Sequence, residues 1–362
     1  MKVLFTIRSL TGGGAERVVS ILSGLLADDD VDVHIITYKK TSSDYSIAKR
    51  VTVHEMPQRR DSIITKVLRI SDMHRLIKAI QPDVIIPFVG TVLYVSWLAS
   101  RGLRIPFVLT IRNNPWLVPE KKLLRFFRDY LAKKSRAIML QNEEQSLYFS
   151  HKLQKKCYVV PNPLASEYIT SQKQEYKEQV QKIIAVGRLH PQKNYPLLLA
   201  AMAQVVKTHP NIVLRVYGAG SQKKDLETLI MMHGLEHNVF LCGRKKNIMH
   251  YLNDADLFVM TSDYEGMPNA LMEAMAYGLP CISSDCATGP KSLIVPYEDG
   301  LLFQTGNVND LQGKIEWAIN HPSEISEFGR QARRKIISDY STRNALKCIE
   351  HLLNEIAGGS ER

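Results

Sequence analysis

Two glutamates separated by seven residues lie where the sequence changes from a loop to a helix. Glu265 is in the loop, and Glu273 is inside the helix. The sequence predicts that this helix begins near Pro268 and ends at Gly278. Pro is favoured in the first turn of a helix and Gly just past its last turn. We expect the two carboxylates to do different work, since a loop carboxylate can reach a sugar and one within the helix can accept two ribose hydroxyls.

The start of the same helix predicts an anion site. The first backbone N–H groups of a helix have no partner within it and carry a positive partial charge. The amides near Asn269 and Ala270 therefore suit a phosphate or another anion.

Two cations follow another predicted strand. Arg188 and Lys193 lie five positions apart in the segment 187–194, with Pro191 shaping the turn between them. A diphosphate leaving group needs its charge neutralised, and preorganised cations supply that. Cations of this kind are common on solvated surfaces, so it is their position at a strand end that favours a functional interpretation.

Consecutive glycines, Gly12 to Gly14, open the helix that follows the first predicted strand. Glycine lets a backbone turn tightly and bring bare N–H groups against a phosphate. A dinucleotide fingerprint would need a further glycine in place of Arg17 and an acid at the end of the second strand. That strand is followed instead by Lys39 and Lys40, which argues against a nicotinamide enzyme.

These turns need a scaffold of strands and helices, and the sequence predicts one in each half. Short β-rich runs alternate with helical patterns over nearly the whole chain, as in parallel sheets of βαβ units. The predicted strands are 3–7, 33–38, 51–55, 84–89, 107–111, 137–140, 158–160, 182–186, 213–217, 239–242, 257–261, 280–283 and 301–303.

The alternation stops around Pro161, Asn162 and Pro163, and the residues that follow are polar and charged. We place a domain boundary there. The sequence predicts an α/β protein with two doubly wound domains, 1–163 and 164–343, followed by the segment 344–362. Ligands bind at the carboxyl ends of the strands in such sheets, so two facing domains predict a cleft lined by the turns described above.

Charge is unevenly distributed along the chain. The net charge is +11, but residues 1–160 hold 26 Lys and Arg against 14 Asp and Glu, whereas residues 161–362 hold 21 against 22. The first half alone is therefore expected to meet an anionic partner, such as a membrane face, a phosphate-bearing lipid or nucleic acid. Two basic stretches, 61–80 and 121–134, contribute most to this expectation. Nucleic acid is disfavoured because no motif of a nucleic-acid-binding fold is present.

The composition excludes several classes of protein. With 45% hydrophobic and 23% charged residues, the chain is globular in composition, and its five dispersed cysteines form no Cys-x-x-Cys pair. This favours a reducing, cytoplasmic setting. The uncharged stretch 84–100 is divided by Pro87 and Gly90, so we interpret it as a strand, a turn and a helix and not as a membrane span. The N-terminal residues are interpreted as a first strand and not as a signal peptide.

Taken together, these residues resemble the retaining family 4 glycosyltransferases of the GT-B fold. The spacing of Glu265 and Glu273 is the most specific element, and the resemblance extends from the glycine turn to the last βα units. The family joins two Rossmann-like domains that face each other across a nucleotide-sugar cleft. The resemblance implies that 160–163 crosses between the domains and that the helix of 344–362 packs back on the first domain.

The resemblance also implies a role for each candidate residue. Glu273 would hold the ribose, Glu265 would contact the donor sugar, and Arg188 and Lys193 would bind the diphosphate, with Glu265, Arg188 and Lys193 as the catalytic set. Further contacts to the nucleotide sugar are expected from Gly13, Gly14, Gly187, Gly218, Gly220, Gly266, Met267, Pro268, Asn269 and Ala270.

One turn departs from the family pattern. Many members place a His after the strand that here ends near Ile111, and this sequence has none there. We expect Arg112 or Asn113 to take its place near the donor sugar.

The activity implied by the resemblance is retaining transfer of a hexose or N-acetylhexosamine from a nucleotide sugar, with UDP as the preferred nucleotide, to a lipid-linked or growing bacterial-type glycan. No metal or cofactor is implied, and the Asp-x-Asp matches in 28–32 precede a strand, so we interpret them as a solvated turn. The basic first domain favours a lipid-diphosphate acceptor and peripheral contact with an anionic membrane at its cytoplasmic face. The alternative is an epimerase on the same fold, which would share Arg188 and Glu273 and would need no acceptor.

Overall fold

The computed structural model describes residues 1–38, 45–58, 63–173 and 175–358. The chain divides into two compact units, one of Met1–Pro163 with the residues from Thr342 onward, the other of Leu164–Ser341. Lys39 and Lys40 lie outside the described residues. So do the first two residues of the basic stretch 61–80.

The first unit alternates parallel strands with helices. Strands β3, β2, β1 and β4 form one sheet in that order, and β5, β6 and β7 form another. A parallel bridge from Ile85 to Phe107 connects β4 with the residue before β5. The elements are β1 (Lys2–Ile7), α1 (Gly14–Asp28), β2 (Asp32–Thr37), β3 (Thr52–Glu55), α2 (Ile63–Ile80), β4 (Val84–Pro87), α3 (Thr91–Ser100), β5 (Val108–Thr110), α4 (Lys122–Lys134), β6 (Ala137–Leu140), a 3₁₀ helix (Glu143–Tyr148), α5 (His151–Gln154) and β7 (Cys157–Val159).

The second unit contains a parallel sheet with the order β10-β9-β8-β11-β12-β13. The strand order reverses between β8 and β11, which are neighbours in the sheet but not in the sequence. The elements are α6 (Ser166–Thr170), β8 (Lys182–Val186), a 3₁₀ helix (Pro191–Lys193), α7 (Tyr195–Thr208), β9 (Val213–Tyr217), α8 (Lys223–Met232), β10 (Val239–Leu241), α9 (Met249–Asp254), β11 (Leu257–Met260), α10 (Asn269–Tyr277), β12 (Cys281–Ser284), α11 (Pro290–Leu293), β13 (Leu301–Phe303), α12 (Val308–Asn320) and α13 (Pro322–Asp339).

Each sheet is covered by helices on both faces, as parallel sheets require. In β1, Val3 and Phe5 point into one core cluster while Leu4 points into another. In β8, Ile183 and Ile184 divide between two clusters in the same way. The two predicted doubly wound α/β domains are thus confirmed. Because the helices cover both faces of each sheet, a ligand can bind at the carboxyl ends of the strands.

A last helix, α14 (Thr342–Gly358), belongs to the first unit although it follows the second in sequence. Its apolar residues recur at helical spacing and join the core that contains β1 and α1. The buried residues of α14 are Ala345, Ile349, Leu352, Leu353 and Ile356.

The polar residues after the boundary are packed onto the second unit. Tyr168 of α6 is buried, and the Lys173 ammonium donates to the Ala255 carbonyl at 2.6 Å. The stretch 84–100 forms β4, a turn at Gly90 and α3, as predicted. Among the described residues, we find no helix with the length and apolar character needed to cross a membrane.

Candidate functional site

The turns after β8 and β11 meet where the strand order of the second sheet reverses, the position at which such sheets bind ligands. The Lys193 Nζ lies 2.6 Å from the Glu265 Oε1, and these side chains are only 15% and 9% exposed. A cation and an anion taken this far out of water stabilise each other directly, because the surrounding solvent screens them little. The structure thus brings together two residues that are 72 positions apart in sequence.

The two turns are joined by several other hydrogen bonds that fix this ion pair. Asn194 has a left-handed φ of 45° and caps α7, which holds the 3₁₀ turn before it in place. The bonds between the turns are Thr261 Oγ1 to the Lys193 carbonyl at 2.9 Å, Gln192 Nε2 to the Tyr264 carbonyl at 2.9 Å, the Asp263 amide to the Gln192 carbonyl at 2.9 Å and Asn194 Nδ2 to Asp263 Oδ1 at 2.7 Å.

The turn after β12 supports Glu265 from the other side. The Thr288 hydroxyl donates to the Glu265 carbonyl. Gly289 has a φ of +92°, and a Cβ there would lie 2.8 Å from the Gly266 carbonyl oxygen, so only glycine fits. Burial, together with the Glu265 charge, raises the pKa of the Cys286 thiol to about 12, which keeps that thiol protonated beside the ion pair.

The predicted glycines of the second unit allow two turns to approach closely. A Cβ on Gly218 would lie 1.7 Å from the Gly187 carbonyl oxygen, and one on Gly220 would lie 2.1 Å from the Leu189 carbonyl oxygen. A Cβ on Gly187 would meet the Lys193 Cε at 3.1 Å. These glycines therefore shape the turn that carries Lys193.

Helix α10 begins one residue later than the sequence indicated. Pro268 is its N-cap and not its first helical residue, so the first helical amides are those of Asn269 and Ala270. Glu273 is buried, and its Oε2 accepts a hydrogen bond from the Tyr168 hydroxyl at 3.0 Å. Gly266 and Met267 are buried in the preceding loop.

Arg188 differs from Lys193. It is exposed, and its side chain makes no hydrogen bond or ion pair within the described part of the chain. The second unit thus has one cation that is locked against a carboxylate and one that is open to solvent in the same turn.

The glycine turn of the first unit follows β1. Gly13 is the N-cap of α1, and Gly14 is the first helical residue. A Cβ on Gly13 would lie 1.9 Å from the Glu16 Oε2, so the Glu16 carboxylate occupies the space beside the turn. A Glu at this third helical position commonly reaches back to the N-cap backbone.

Arg112 and Asn113 follow β5 in the first unit. The Arg112 guanidinium lies over the Phe88 ring, 4.9 Å from its centroid, and donates to the Asn162 side-chain oxygen. Asn113 accepts the Asn114 amide on its side chain at 2.7 Å. Among the residues that the structure describes, no group of three or more His, Cys, Asp and Glu side chains could hold a metal ion. Metal independence stays a prediction.

Comparisons with known proteins agree with this architecture. A family model for glycosyl transferases group 1 matches residues 168–335, and a glycosyl transferase 4-like model matches residues 12–142. An uncharacterized glycosyltransferase of Haemophilus influenzae is 25% identical over 92% of this chain and 94% of its own length. A Campylobacter jejuni α-1,4-N-acetyl-D-galactosaminyltransferase, named for a GalNAc-containing diNAcBac-PP-undecaprenol acceptor, is 27% identical over 92% and 93%.

A solved structure has the same fold. Anabaena HepE in complex with UDP and glucose matches with a TM-score of 0.82 and 18% identity, over 98% of this chain and 99% of that one. The chain is a glycosyltransferase of the GT-B fold. The predicted fold and enzyme class are confirmed, and the epimerase alternative finds no support in these comparisons.

Sequence reasoning about this glycosyltransferase missed the residues that hold the charged side chains in place. Tyr168 stands in a polar stretch whose pattern gives no sign of a contact 105 residues away. Thr288 acts through a hydrogen bond to the Glu265 carbonyl that no spacing rule predicts. The N-cap role of Asn194 is different, because Asn followed by Pro in the first turn is a helix-start signal that could have been found. Only the proline and glycine turns around these residues gave a usable signal.

Proposed function

We propose that this glycosyltransferase is a retaining enzyme that moves a hexose or N-acetylhexosamine from a UDP-sugar to a lipid-linked or growing glycan. The observation that carries the proposal is the Lys193–Glu265 ion pair where the second sheet reverses its strand order. A nucleotide sugar brings both a diphosphate for the cation and hydroxyl groups for the carboxylate. The pair therefore matches the two ends of the bond that breaks.

In the proposed reaction, Lys193 and Arg188 neutralise the charge that develops on the departing diphosphate. A single well-placed donor of this kind lowers a barrier by about 3 to 4 kcal/mol. The first amides of α10, at Asn269 and Ala270, add partial positive charge. We propose that these groups do this without a metal ion or a cofactor.

Glu273 is proposed to accept the ribose hydroxyls. Its carboxylate is buried and oriented by the Tyr168 hydroxyl, so it is held in one position before a ligand arrives. Glu265 is proposed to contact the hydroxyls of the donor sugar. The preference for UDP draws on the HepE complex, and the lipid-linked acceptor draws on the name of the Campylobacter relative.

A donor screen tests this function. The purified chain is incubated with UDP-, GDP- and ADP-sugars and with membrane lipid extract, and released diphosphate is measured. We expect release from one UDP-sugar, stimulated by the extract, and a loss of at least about a hundredfold in Glu265→Gln. Glu227→Gln, on the exposed face of α8, is the matched control.

Two outcomes would contradict the proposal. Conversion of the sugar nucleotide without any acceptor would indicate an epimerase. If Glu265→Gln releases as much diphosphate as wild type, the ion pair has no role in the reaction. The anomeric configuration of the product, measured by NMR, tests retention separately.

We also propose that the first unit contacts an anionic membrane through one face of α4. Leu123 and Phe126 are 79% and 73% exposed on this face, and Tyr130 follows one turn later. The exposed lysines that flank this stripe are Lys121, Lys122, Lys133 and Lys134. An apolar stripe between cations is typical of helices that lie in the headgroup region of a bilayer. In the other basic helix, α2, Met73 and Ile77 are buried in the core.

Vesicle pelleting tests this surface. We expect salt-sensitive binding to phosphatidylglycerol vesicles, little binding to phosphatidylcholine vesicles, and loss of binding in the double variant Leu123→Ser, Phe126→Ser. The control is Met231→Ser, Met232→Ser, which removes residues that are 60% and 75% exposed on α8 of the second unit. Absence of binding at low salt, or equal loss in both variants, would overturn the proposal.

A further inference from the structure

Two arginines of the first unit, Arg128 and Arg112, have guanidinium groups with very different surroundings. Arg128 of α4 is fully engaged, because it pairs with Asp129 at 2.7 Å and donates to the Pro115 carbonyl at 2.8 Å and to the Val118 carbonyl at 2.5 Å. Its buried charge has a counter-charge in the protein. Arg128 is therefore a structural arginine, and it serves as the comparison for Arg112.

Arg112 has no such counter-charge. Its Nη2 donates to the Asn162 side-chain oxygen, but its Nε and Nη1 are buried and have no hydrogen-bond partner. No ion pair involves Arg112 in the described part of the chain. Burial lowers the pKa of Arg112 to about 9. A buried charge without a partner is costly to the fold, and native proteins rarely keep one without a use.

The side chains around Arg112 are neutral. Gln141 shares the Asn162 oxygen with it, donating at 3.0 Å, and Gln145 donates to the Asn113 carbonyl at 3.2 Å. These amides hold Arg112 and Asn162 in register without neutralising the charge. Arg112 as a whole is only partly buried, but its Nε and Nη1 are themselves buried, so an oxyanion reaches them only when the neighbouring side chains move.

We propose that Arg112 is an anion-recognition residue, which takes a carboxylate or phosphate oxyanion of a substrate at the carboxyl edge of the strands β5, β6 and β7. Charge-assisted hydrogen bonds from the unpartnered Nε and Nη1 to an oxyanion would satisfy both nitrogens. The edge is the one at which sheets of this kind bind ligands. That the anion belongs to a sugar donor or a glycan acceptor rests on the proposed function, whereas the anion site does not.

Ligand binding to the full chain tests the site. In phosphate-free buffer, sodium phosphate, sodium glucuronate and neutral glucose are titrated against wild type, Arg112→Gln and Arg128→Gln by calorimetry, with thermal unfolding measured in parallel. We expect wild type to bind both anions but not glucose, and Arg112→Gln to bind them at least about tenfold more weakly. Without anion, Arg112→Gln should melt at or above the wild-type temperature, because it removes a desolvated charge.

Arg128→Gln should melt lower and keep the anion affinity. If it does not fold, Arg101→Gln, which alters an arginine over the Trp97 ring, replaces it as control. Equal anion affinity in wild type and Arg112→Gln overturns the proposal. So does a large fall in melting temperature of Arg112→Gln when no anion stabilises wild type, since Arg112 would then be structural.

Two further titrations distinguish the source of the anion. A preference for UDP-glucuronate over UDP-glucose that disappears in Arg112→Gln assigns the oxyanion to a donor carboxylate. If glycerol 3-phosphate competes with glucuronate for wild type but not for Arg112→Gln, the oxyanion is assigned to a phosphate of the acceptor. UDP itself is titrated alongside, and absence of UDP binding would count against the proposed function but not against the anion site.

Discussion

The carboxyl edges of the sheets in the two units hold their cations in opposite ways. In the second unit, Lys193 lies 2.6 Å from the Glu265 carboxylate and both are nearly enclosed. In the first unit, the partner of Arg112 is the neutral side chain of Asn162, and two of its nitrogens are buried without a partner.

This difference indicates a different role for each edge. A cation that already has its counter-charge keeps its geometry without a ligand, and it can serve chemistry in which charge develops during the reaction. A cation without one is incomplete until an anion arrives. The first arrangement suits a reacting centre, and the second suits recognition.

Breaking the ion pair should have the largest effect. Lys193→Met leaves the Glu265 carboxylate enclosed without a counter-charge, so we expect a loss of about 3 kcal/mol in the free energy of unfolding and at least about a hundredfold loss of transfer. Urea denaturation and diphosphate release measure the two effects.

Two matched variants sharpen this result. The double variant Lys193→Met, Glu265→Gln should regain much of the stability but none of the activity. Lys182→Met breaks the exposed pair with Asp254 and should cost less than about 1 kcal/mol. Equal costs for Lys182→Met and Lys193→Met would contradict the view that burial separates the two pairs.

The close approach of the two turns in the second unit gives the next largest effect. Gly218→Ala would drive a Cβ into the Gly187 carbonyl oxygen, so we expect a loss of about 2 kcal/mol and weaker UDP binding, because the turn that carries Lys193 must shift. Gly313→Ala in α12 meets no atom within 4 Å and should stabilise the protein by about 0.5 to 1 kcal/mol. Thermal unfolding and UDP titration of both variants check this. If Gly218→Ala has the stability and the UDP affinity of wild type, the two turns can separate freely.

Removing the hydroxyl that orients Glu273 should have a smaller effect. Tyr168→Phe is expected to cost about 1 kcal/mol in unfolding free energy and to weaken UDP binding severalfold. Tyr176→Phe loses a comparable bond, to the Gly278 carbonyl at 2.7 Å, and should leave UDP affinity unchanged. A parallel loss of affinity in both variants would mean that the effect comes from stability alone.

The smallest effect concerns pH at the first unit. The pKa of Arg112 is lowered to about 9, so its charge is present below pH 9 and is lost in the unbound protein as the pH rises through that value. Glucuronate keeps its charge over this range, and its affinity should be about twofold weaker at pH 9 than at pH 7.5. Arg112→Gln should show no such dependence. A flat profile in wild type would show that the Arg112 guanidinium keeps its charge up to pH 9.

The sequence predicted the scaffold well because the two periodicities that define it are local. The apolar stripe of α14, and the alternation that gives β1 and β8, are visible in short windows. The turn residues around Glu265 and Glu273 also singled out these two carboxylates as candidates, and their roles stay predictions. Errors of one residue, such as the start of α10 after Pro268, arise where the chain changes its conformation.

What the sequence determined by itself is therefore the α/β class and the doubly wound domains, since both follow from composition and periodicity. It also singled out the charged residues that are candidates for the site, from spacing and turn chemistry near one point in the chain. Only the tertiary structure decided which charges meet. It paired Lys193 with Glu265, placed the Tyr168 hydroxyl on Glu273, and left Arg112 without a counter-charge. The physical reason is that electrostatic partners are chosen by distance and burial in space, and the chain separation between them carries no information about either.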